Sequence, residues 1–310
     1  MQMFDTLQEL RLAQLRKIFR KGRREIVKEF DLSFYEYFKC LFEDPPRFDE
    51  YSKFCKRIFD RTEAYGRKVL DLGCGFGLMS IHFALFGALE VLGVDLNERR
   101  LLVFRKILSS LKFPLKNIGL KRGDKWIIDV EDESFDVILV IDTISYVKHL
   151  DAFISEVKRI LKKNGVVFIK ELNNELNLFG VLNPWNLEKA TSLRSKTYEN
   201  KIKEIIRKNY PSRDLEEFMG ASKSENIEDF EREVFLLIER LTREQEVNPF
   251  KLKNMLENAG LKAKIIPPLR THVATGFKGN VTSKFYSIIT SLHPFSLVIA
   301  PYFNIEAKKS

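Results

Sequence analysis

The fold class that the sequence predicts is α/β, with a parallel, doubly wound sheet. Three observations predict it. Short β-branched runs alternate with helical periods over residues 67–172, a glycine-rich turn joins the first run to the first helix, and the alternation resumes near residue 249. Strands that alternate with helices at this spacing form βαβ units, and such units require parallel strands.

The central elements follow from the period of their apolar residues. Alternating or continuous apolar runs predict strands, and apolar positions three or four residues apart predict helices. The predicted strands cover residues 67–72, 89–94, 118–122, 135–141 and 166–172, and the predicted helices cover residues 78–85, 98–111 and 150–161. Lys163, Asn164 and Gly165 are predicted to stop the last of these helices.

The chain divides into four predicted parts. Residues 1–65 form an N-terminal helical lid with a break at Gly22 and a helix over 48–64, and residues 66–172 form the core of the sheet. Residues 173–248 are charged and mostly helical in pattern, which indicates an insertion or cap. Residues 249–310 complete the core, with helices at 249–259 and 281–292 and strands at 261–266 and 302–307.

The net charge of +9 over 310 residues is concentrated near the ends of the chain. Residues 11–28 hold eight basic side chains and one acidic side chain. This segment allows contact with RNA or with a membrane surface, although a solvated helix face is the commoner origin of such a pattern. No apolar stretch approaches the roughly 18 residues that span a bilayer. We therefore expect a soluble, cytoplasmic protein. The three cysteines and four histidines predict no metal site.

The segment Asp71-Leu72-Gly73-Cys74-Gly75-Phe76-Gly77 leaves the first strand and opens the first helix. Ligands of open parallel sheets bind at the carboxyl ends of the strands, where glycine lets the backbone come close to them. Asp95 ends the next strand, 20 residues beyond Gly75. A carboxylate at that position is placed to accept hydrogen bonds from both hydroxyls of a ribose, so the sequence predicts a nucleoside site.

The spacing of the glycines separates two kinds of nucleoside. A dinucleotide fingerprint requires a third glycine where this chain has Leu78, and Asp71 would repel a pyrophosphate. The same carboxylate would attract the ammonium group of a methionine moiety. An NAD-dependent oxidoreductase is therefore disfavoured.

Residues 69–77, together with Gly93-Val94-Asp95-Leu96, resemble the nucleotide-binding half of the class I S-adenosylmethionine-dependent methyltransferases, of the type 11/12-like group. The resemblance covers residues 66–172 and, more faintly, 248 to the end. It implies a Rossmann-like sheet of seven strands with an antiparallel last strand. It also implies S-adenosylmethionine as the cofactor and S-adenosylhomocysteine as the product.

Further segments extend the resemblance. Residues 122–126 resemble the family's third segment, in which an acid receives the adenine amino group and an apolar side chain covers the ring. The predicted cofactor contacts are Asp71, Gly73, Cys74, Gly75, Phe76, Gly77, Asp95, Leu96, Gly123, Asp124, Lys125, Trp126, Ile141 and Asp142. Where many relatives have Glu-His after strand four, this chain has Ser145-Tyr146.

The loops after strands four and five are expected to frame the acceptor pocket. Methyl transfer from a sulfonium is an in-line displacement, and it needs a base only when the acceptor holds its proton at neutral pH. Tyr146, His149 and Glu171 are the catalytic candidates, and Asp142, Asn173 and Asn174 lie in the same loops. His272, beside Arg270 and Lys278, is a weaker candidate for binding an anionic acceptor.

The sequence favours a small-molecule acceptor that is methylated on oxygen or nitrogen. After strand four it has neither the Asn/Asp-Pro-Pro-Tyr tetrapeptide of adenine N6 methylases nor the Pro-Cys of cytosine C5 methylases. Two alternatives stay open. The first is an RNA methyltransferase that uses the basic N-terminal helix, and the second is a non-catalytic partner protein that binds S-adenosylmethionine.

Overall fold

A computed structural model of the protein describes residues 9–16, 45–123, 128–173, 247–267, 269, 297 and 302–310. Seven strands form one sheet in the order β3-β2-β1-β4-β5-β7-β6. The strands are β1 (Lys68–Leu72), β2 (Glu90–Asp95), β3 (Ile118–Arg122), β4 (Phe135–Ile141), β5 (Leu161–Leu172), β6 (Leu261–Ile266) and β7 (Tyr302–Lys309). Strands β1 to β5 are parallel, and β7 is antiparallel to both β5 and β6. The predicted fold class is confirmed.

Helices lie between the strands as predicted. They are α1 (Pro45–Arg61), α2 (Leu78–Phe86), α3 (Glu98–Ser110), a short 3-10 helix (Ile144–Tyr146), α4 (Leu150–Ile160) and α5 (Pro249–Asn258). Residues 9–16 are also helical. The Asn248 side chain caps α5 by accepting hydrogen bonds from the backbone N–H groups of Phe250 and Lys251. None of the helices within the described ranges is both long and apolar enough to cross a lipid bilayer.

The two faces of the sheet carry separate apolar cores because side chains alternate along each strand. On one face, Leu70 and Ile138 belong to a cluster with apolar residues of α4 and α5. On the other face, Val69 and Leu139 belong to a cluster with apolar residues of α1 and α2. Asp71 follows the alternation of Val69, so its side chain lies on the face that α1 and α2 cover.

The start of β5 differs from the prediction. Strand β5 begins at Leu161, directly after α4, and residues 163–165 lie inside it rather than ending the helix. Phe135 pairs with Leu161 whereas Val137 pairs with Val166, so β5 carries extra residues that form a bulge. Asn164 has a φ of 62°, which asparagine tolerates better than most residues. An Asn-Gly pair is suited to a bulge as well as to a helix end. The prediction that residues 163–165 stop the helix was therefore wrong.

The described part of the predicted lid packs on the core. Leu15 and Phe48 are buried in one apolar cluster with Phe104 of α3. The Arg16 guanidinium lies 3.2 Å from the Asp49 carboxylate, which joins the helical residues 9–16 to α1. The predicted break at Gly22, residues 174–246 of the predicted insertion and the predicted helix over 281–292 lie outside the described residues.

His82 is fully buried at the contact between α1 and α2. Its Nδ1 donates a hydrogen bond to the Leu78 carbonyl oxygen at 2.7 Å, and its Nε2 lies 2.9 Å from the Ser52 hydroxyl of α1. Burial lowers the pKa of His82 to about 4, and the hydrogen bond to Leu78 opposes that shift. The imidazole is therefore neutral at physiological pH.

We expect the His82 imidazole not to titrate above pH 5 in an NMR titration of the histidine side chains. The unfolded chain takes up this proton near pH 6.5 and the folded chain only near pH 4. Stability is therefore lost as the pH falls through this window, by about 3 kcal/mol. The free energy of unfolding of His82→Gln should lack this component. A His82 resonance that shifts with a midpoint near 6.5 in the folded protein would contradict the buried, neutral ring.

Candidate functional site

The turn between β1 and α2 has three glycines with positive φ. The φ angles are 73° at Gly73, 54° at Gly75 and 78° at Gly77, all in the region that other residues rarely adopt. The N–H groups of Gly73 and Cys74 both donate hydrogen bonds to the Val94 carbonyl oxygen, at 2.8 and 3.0 Å. These bonds attach the turn to the carboxyl end of β2.

The three glycines face different surroundings. A Cβ atom on Gly73 would lie 2.3 Å from the Thr143 hydroxyl oxygen, and one on Gly77 would lie 2.0 Å from the Phe104 ring. A Cβ atom on Gly75 would meet no described protein atom within 4 Å. The first and third glycines are thus required by packing within the protein, whereas the second leaves backbone open to an approaching ligand.

Asp95 joins this open backbone to β2. Its Oδ2 accepts a hydrogen bond from the Gly75 N–H at 2.8 Å, and its Oδ1 accepts one from the Asn97 N–H at 2.8 Å. Only 6% of the residue is exposed, which fixes the carboxylate in place. A carboxylate oxygen can accept more than one hydrogen bond, so both oxygens are still able to accept a ribose hydroxyl.

Asp71 is a second buried carboxylate, at the end of β1. The Ser80 hydroxyl of α2 donates a hydrogen bond to its Oδ2 at 2.6 Å. Burial raises the pKa of Asp71 to about 6, with a further contribution from the negative charge of Asp95, while Ser80 opposes the shift. A cation at this place would favour the charged carboxylate and lower that pKa again.

The remaining predicted cofactor contacts differ in their surroundings. Cys74 is buried and burial raises the pKa of its thiol, which indicates a packing role rather than reactivity. The Phe76 ring lies 5.8 Å from the Arg100 guanidinium. Leu96 is 37% exposed, and the Gly123 N–H donates a hydrogen bond to the Asp95 carbonyl oxygen at 3.1 Å. Asp124, Lys125 and Trp126 lie outside the described residues.

The catalytic candidates are placed at the carboxyl ends of β4 and β5. Tyr146 is half-buried in the 3-10 helix, and His149 is exposed at the start of α4. Glu171 is buried, and its carboxylate accepts hydrogen bonds from the N–H groups of Ser145 and Leu172 at 3.1 and 2.9 Å. In this geometry Glu171 fixes the loop after β4. The catalytic roles of Tyr146, His149 and Glu171 stay predictions.

Of the other polar candidates, Asn173 is buried, and its side-chain amide donates a hydrogen bond to the Leu297 carbonyl oxygen. Asn174 and His272 lie outside the described residues. Ile141 is half-buried at the end of β4.

A family profile described as a methyltransferase domain matches residues 64–259, more than half of the chain. The chain belongs to this family. The sheet order and the glycine turn agree with that assignment, and the resemblance to class I S-adenosylmethionine-dependent methyltransferases is confirmed. The preference of the sequence for a methionine-bearing nucleoside over a dinucleotide is consistent with it.

Individual relatives match only part of this chain. The ubiquinone biosynthesis O-methyltransferase of Pelagibacter ubique is 36% identical over 112 residues, which are 36% of this chain and 45% of the relative. The protein of the same name from Glaesserella parasuis is 34% identical over 119 residues, which are 37% of this chain and 50% of the relative. The chain therefore spans about half the length of the curated relatives it matches.

A solved structure supports the fold. The SAM dependent methyltransferase from Aquifex aeolicus covers 91% of this chain and 100% of its own, with a TM-score of 0.50 and 15% sequence identity. At 15% identity, the structural match shows a shared fold and no more.

The sequence did not identify two polar residues near the site. Thr143 follows β4, and its hydroxyl fills the space beside Gly73 while donating a hydrogen bond to the Ile141 carbonyl oxygen at 2.8 Å. Lys170 of β5 is buried, and its Nζ lies 2.7 Å from each carboxylate oxygen of Asp142. Lys170 could have been identified from the sequence, because it is a charged residue that directly follows the apolar run of residues 166–169.

Arg159 is a further missed residue, and it positions the segment that follows the predicted adenine contacts. Its guanidinium donates hydrogen bonds to the Ile128 and Val130 carbonyl oxygens at 3.0 and 2.9 Å. It also binds the carboxylates of Glu156 and Asp132 at 2.8 and 2.6 Å. All five of its N–H donors are used, so residues 128–132 are held against α4.

Proposed function

We propose that this methyltransferase transfers the methyl group of S-adenosylmethionine to an oxygen atom of a small-molecule acceptor and releases S-adenosylhomocysteine. The observation that carries the proposal is the open backbone at Gly75, hydrogen-bonded to the buried carboxylate of Asp95. The choice of oxygen is supported by the names of the ubiquinone biosynthesis O-methyltransferases that match the chain. The sequence alone left nitrogen open as the acceptor atom.

Each end of the cofactor has a candidate partner in the described site. Asp95 would accept the ribose hydroxyls, and Asp71 would face the ammonium of the methionine moiety. Gly123, which is bonded to the backbone of Asp95, lies at the start of the predicted adenine segment. When bound, the cofactor supplies an electrophilic methyl group on its sulfonium. The protein then has to orient the acceptor and exclude water.

The acceptor class is tested by labelling. The protein is incubated with tritiated-methyl S-adenosylmethionine and a cell extract that has been separated into small molecules, RNA, lipid and protein. We expect label in the small-molecule fraction or the lipid fraction, because an apolar small-molecule acceptor is extracted with the lipids. Label in the RNA fraction alone would overturn the proposal and favour an RNA methyltransferase. Binding of S-adenosylhomocysteine with no label in any fraction would favour the non-catalytic partner protein.

The described part of the basic N-terminal segment gives the RNA alternative no particular support. Arg16 pairs with Asp49 of α1, and the Arg11 guanidinium lies 5.5 Å from the centre of the Phe113 ring. Both side chains therefore already contact the rest of the protein. A cytoplasmic location stays a prediction from the sequence.

The affinity for S-adenosylhomocysteine is expected to fall as the pH drops below about 6. The ammonium of the ligand favours the charged carboxylate of Asp71, whose pKa is raised to about 6 in the free protein. Below that pKa, binding must displace a proton, and the affinity should fall by up to about tenfold per pH unit. Calorimetric titrations between pH 5 and pH 8 measure this slope.

The matched variants for this titration are Asp71→Asn and Asp60→Asn. Asp71→Asn should bind weakly at every pH and lose the slope. Asp60 is exposed on α1 and pairs with Lys56, so Asp60→Asn should reproduce the wild-type curve. A wild-type affinity that is flat from pH 8 to pH 5 would show that Asp71 does not face the ammonium group.

A further inference from the structure

The strand order divides the carboxyl edge of the sheet into two halves. Asp95 ends β2, and Asp71 lies one residue before the end of β1. Both occupy the half of the edge assigned to the cofactor. The next strands along the same edge are β4, β5 and β7. Asp142 follows β4, Lys170 lies near the end of β5, and Tyr302 begins the antiparallel β7 at that same edge. These three residues therefore lie beside the cofactor half, where an acceptor has to enter.

The three side chains form one compact cluster. The Lys170 Nζ lies 2.7 Å from both carboxylate oxygens of Asp142 and 3.8 Å from the centre of the Tyr302 ring. The Lys170 side chain is 5% exposed, whereas the Asp142 side chain is 48% exposed. The ammonium is thus desolvated and held by a carboxylate and an aromatic face, and the carboxylate stays accessible from outside.

The backbone fixes the accessible carboxylate in an unusual conformation. Asp142 has a φ of 51°, which costs free energy in a residue other than glycine. Its N–H donates a hydrogen bond to the Lys170 carbonyl oxygen at 2.8 Å. The same two residues are therefore joined through both backbone and side chains.

Stability alone does not account for this cluster. Residues 166–169 of β5 are apolar and buried, and an apolar residue at position 170 would continue that pattern. Buried ion pairs are often no more stabilising than the apolar residues that could replace them. A buried ion pair next to the cofactor half of the edge points instead to a role in binding or chemistry.

We propose that Lys170 and Asp142 bind the acceptor hydroxyl and that this hydroxyl is acidic, as in a phenol or an enol; the inference rests on the proposed function. The acceptor oxygen forms the new C–O bond with the methyl carbon while the S–CH₃ bond breaks and its electron pair returns to sulfur. The hydroxyl proton passes to the Asp142 carboxylate. The Lys170 ammonium stabilises the negative charge that develops on the oxygen.

The chemistry of the pair selects this class of acceptor. A carboxylate is a weak base, so it assists only hydroxyls that are much more acidic than those of ordinary alcohols. Once Asp142 has taken the hydroxyl proton, the carboxyl group is neutral, and the positive charge of Lys170 is left to stabilise the phenolate or enolate. The Tyr302 ring adds an aromatic surface on which a planar acceptor can pack.

The test uses 4-nitrocatechol, whose phenolate absorbs at longer wavelength than its neutral form, and protein saturated with S-adenosylhomocysteine. We expect the probe to bind as the phenolate. Lys170→Met should weaken its binding by at least about tenfold and abolish the phenolate band of the bound probe, while Lys170→Arg should keep both. Lys162, which pairs with Asp136 at the other end of β5, supplies the matched control Lys162→Met, with wild-type binding.

A second variant tests the proton transfer. Asp142→Asn keeps a residue that tolerates positive φ at a half-exposed position, and its amide oxygen can still accept a hydrogen bond from the Lys170 ammonium. We expect it to bind 4-nitrocatechol, but to methylate catechol, whose hydroxyl keeps its proton at neutral pH, at least about 100-fold more slowly than the wild type. A wild-type rate in Asp142→Asn would overturn its role as proton acceptor.

The outcomes for the two proposals are separable because S-adenosylhomocysteine binding is measured first and without the probe. Failure of the wild type to bind S-adenosylhomocysteine refutes the proposed function. If it binds but 4-nitrocatechol does not, or if Lys170→Met binds the phenolate as well as the wild type, only the assignment of Lys170 and Asp142 is refuted.

Discussion

Asp95→Ala is expected to lower the affinity for S-adenosylhomocysteine by about 10- to 200-fold, measured by titration calorimetry. Each charge-assisted hydrogen bond to a ribose hydroxyl contributes about 1.5 kcal/mol, and the variant removes the acceptor of both. The substitution also leaves the N–H groups of Gly75 and Asn97 without the carboxylate that holds them. The turn at Gly75 then loses its fixed position, which places the expected effect toward the upper end of the range.

Asp136→Ala is the matched control for this experiment. The Asp136 carboxylate of β4 likewise accepts a hydrogen bond from a backbone N–H, that of Lys68, at 2.9 Å. It lies at the amino ends of the strands, away from the glycine turn. We expect its affinity for S-adenosylhomocysteine to stay within about twofold of the wild type. Unchanged affinity in Asp95→Ala would refute the assignment of the ribose site.

Two glycines in the same turn should differ in their effects: Gly77→Ala should mainly lower stability, and Gly75→Ala should mainly weaken cofactor binding. Gly77→Ala should lower the free energy of unfolding by about 3 kcal/mol or more, because its Cβ atom would overlap the buried Phe104 ring and its φ is 78°. Gly75→Ala should cost only about 1–2 kcal/mol, because its φ is 54° but its Cβ atom meets no described protein atom within 4 Å.

Binding separates these variants further. The added methyl group in Gly75→Ala would occupy the open space assigned to the cofactor, so we expect the affinity for S-adenosylhomocysteine to fall by more than about tenfold. Urea unfolding and calorimetry on both variants give the comparison. The site assignment fails if Gly75→Ala folds and binds the ligand as tightly as the wild type. The packing assignment fails if Gly77→Ala is no less stable than Gly75→Ala.

Most of the fold was predictable because the signals are local. Strands β3, β4 and β6 have the bounds that the apolar runs predicted, and the Asn248-Pro249 start of α5 is a helix-start signal within two residues. The start of β5 was not predictable in the same way. Asn164-Gly165 suits a helix end and a bulge alike, and only the pairing of β5 with β4 decides between them.

The candidate site also has features that the sequence predicts and contacts that it does not. The glycine turn and Asp95 could be predicted because each is defined by a short motif at the end of a strand. The contacts of Ser80 with Asp71 and of Lys170 with Asp142 depend on side-chain positions and on residues 9 and 28 positions apart. The sequence predicted that Asp142 lies in a loop that frames the acceptor pocket, but it did not show that Lys170 is the partner of Asp142.

The most direct test of the cofactor site is a crystal structure of the protein with S-adenosylhomocysteine bound. We expect the nucleoside to lie over the backbone of Gly75, with both ribose hydroxyls within about 2.5–3.0 Å of the Asp95 carboxylate oxygens. The amino group of the homocysteine moiety should face Asp71, directly or through one water. A ligand bound away from the turn between β1 and α2, or a ribose that does not contact Asp95, would contradict the site described here.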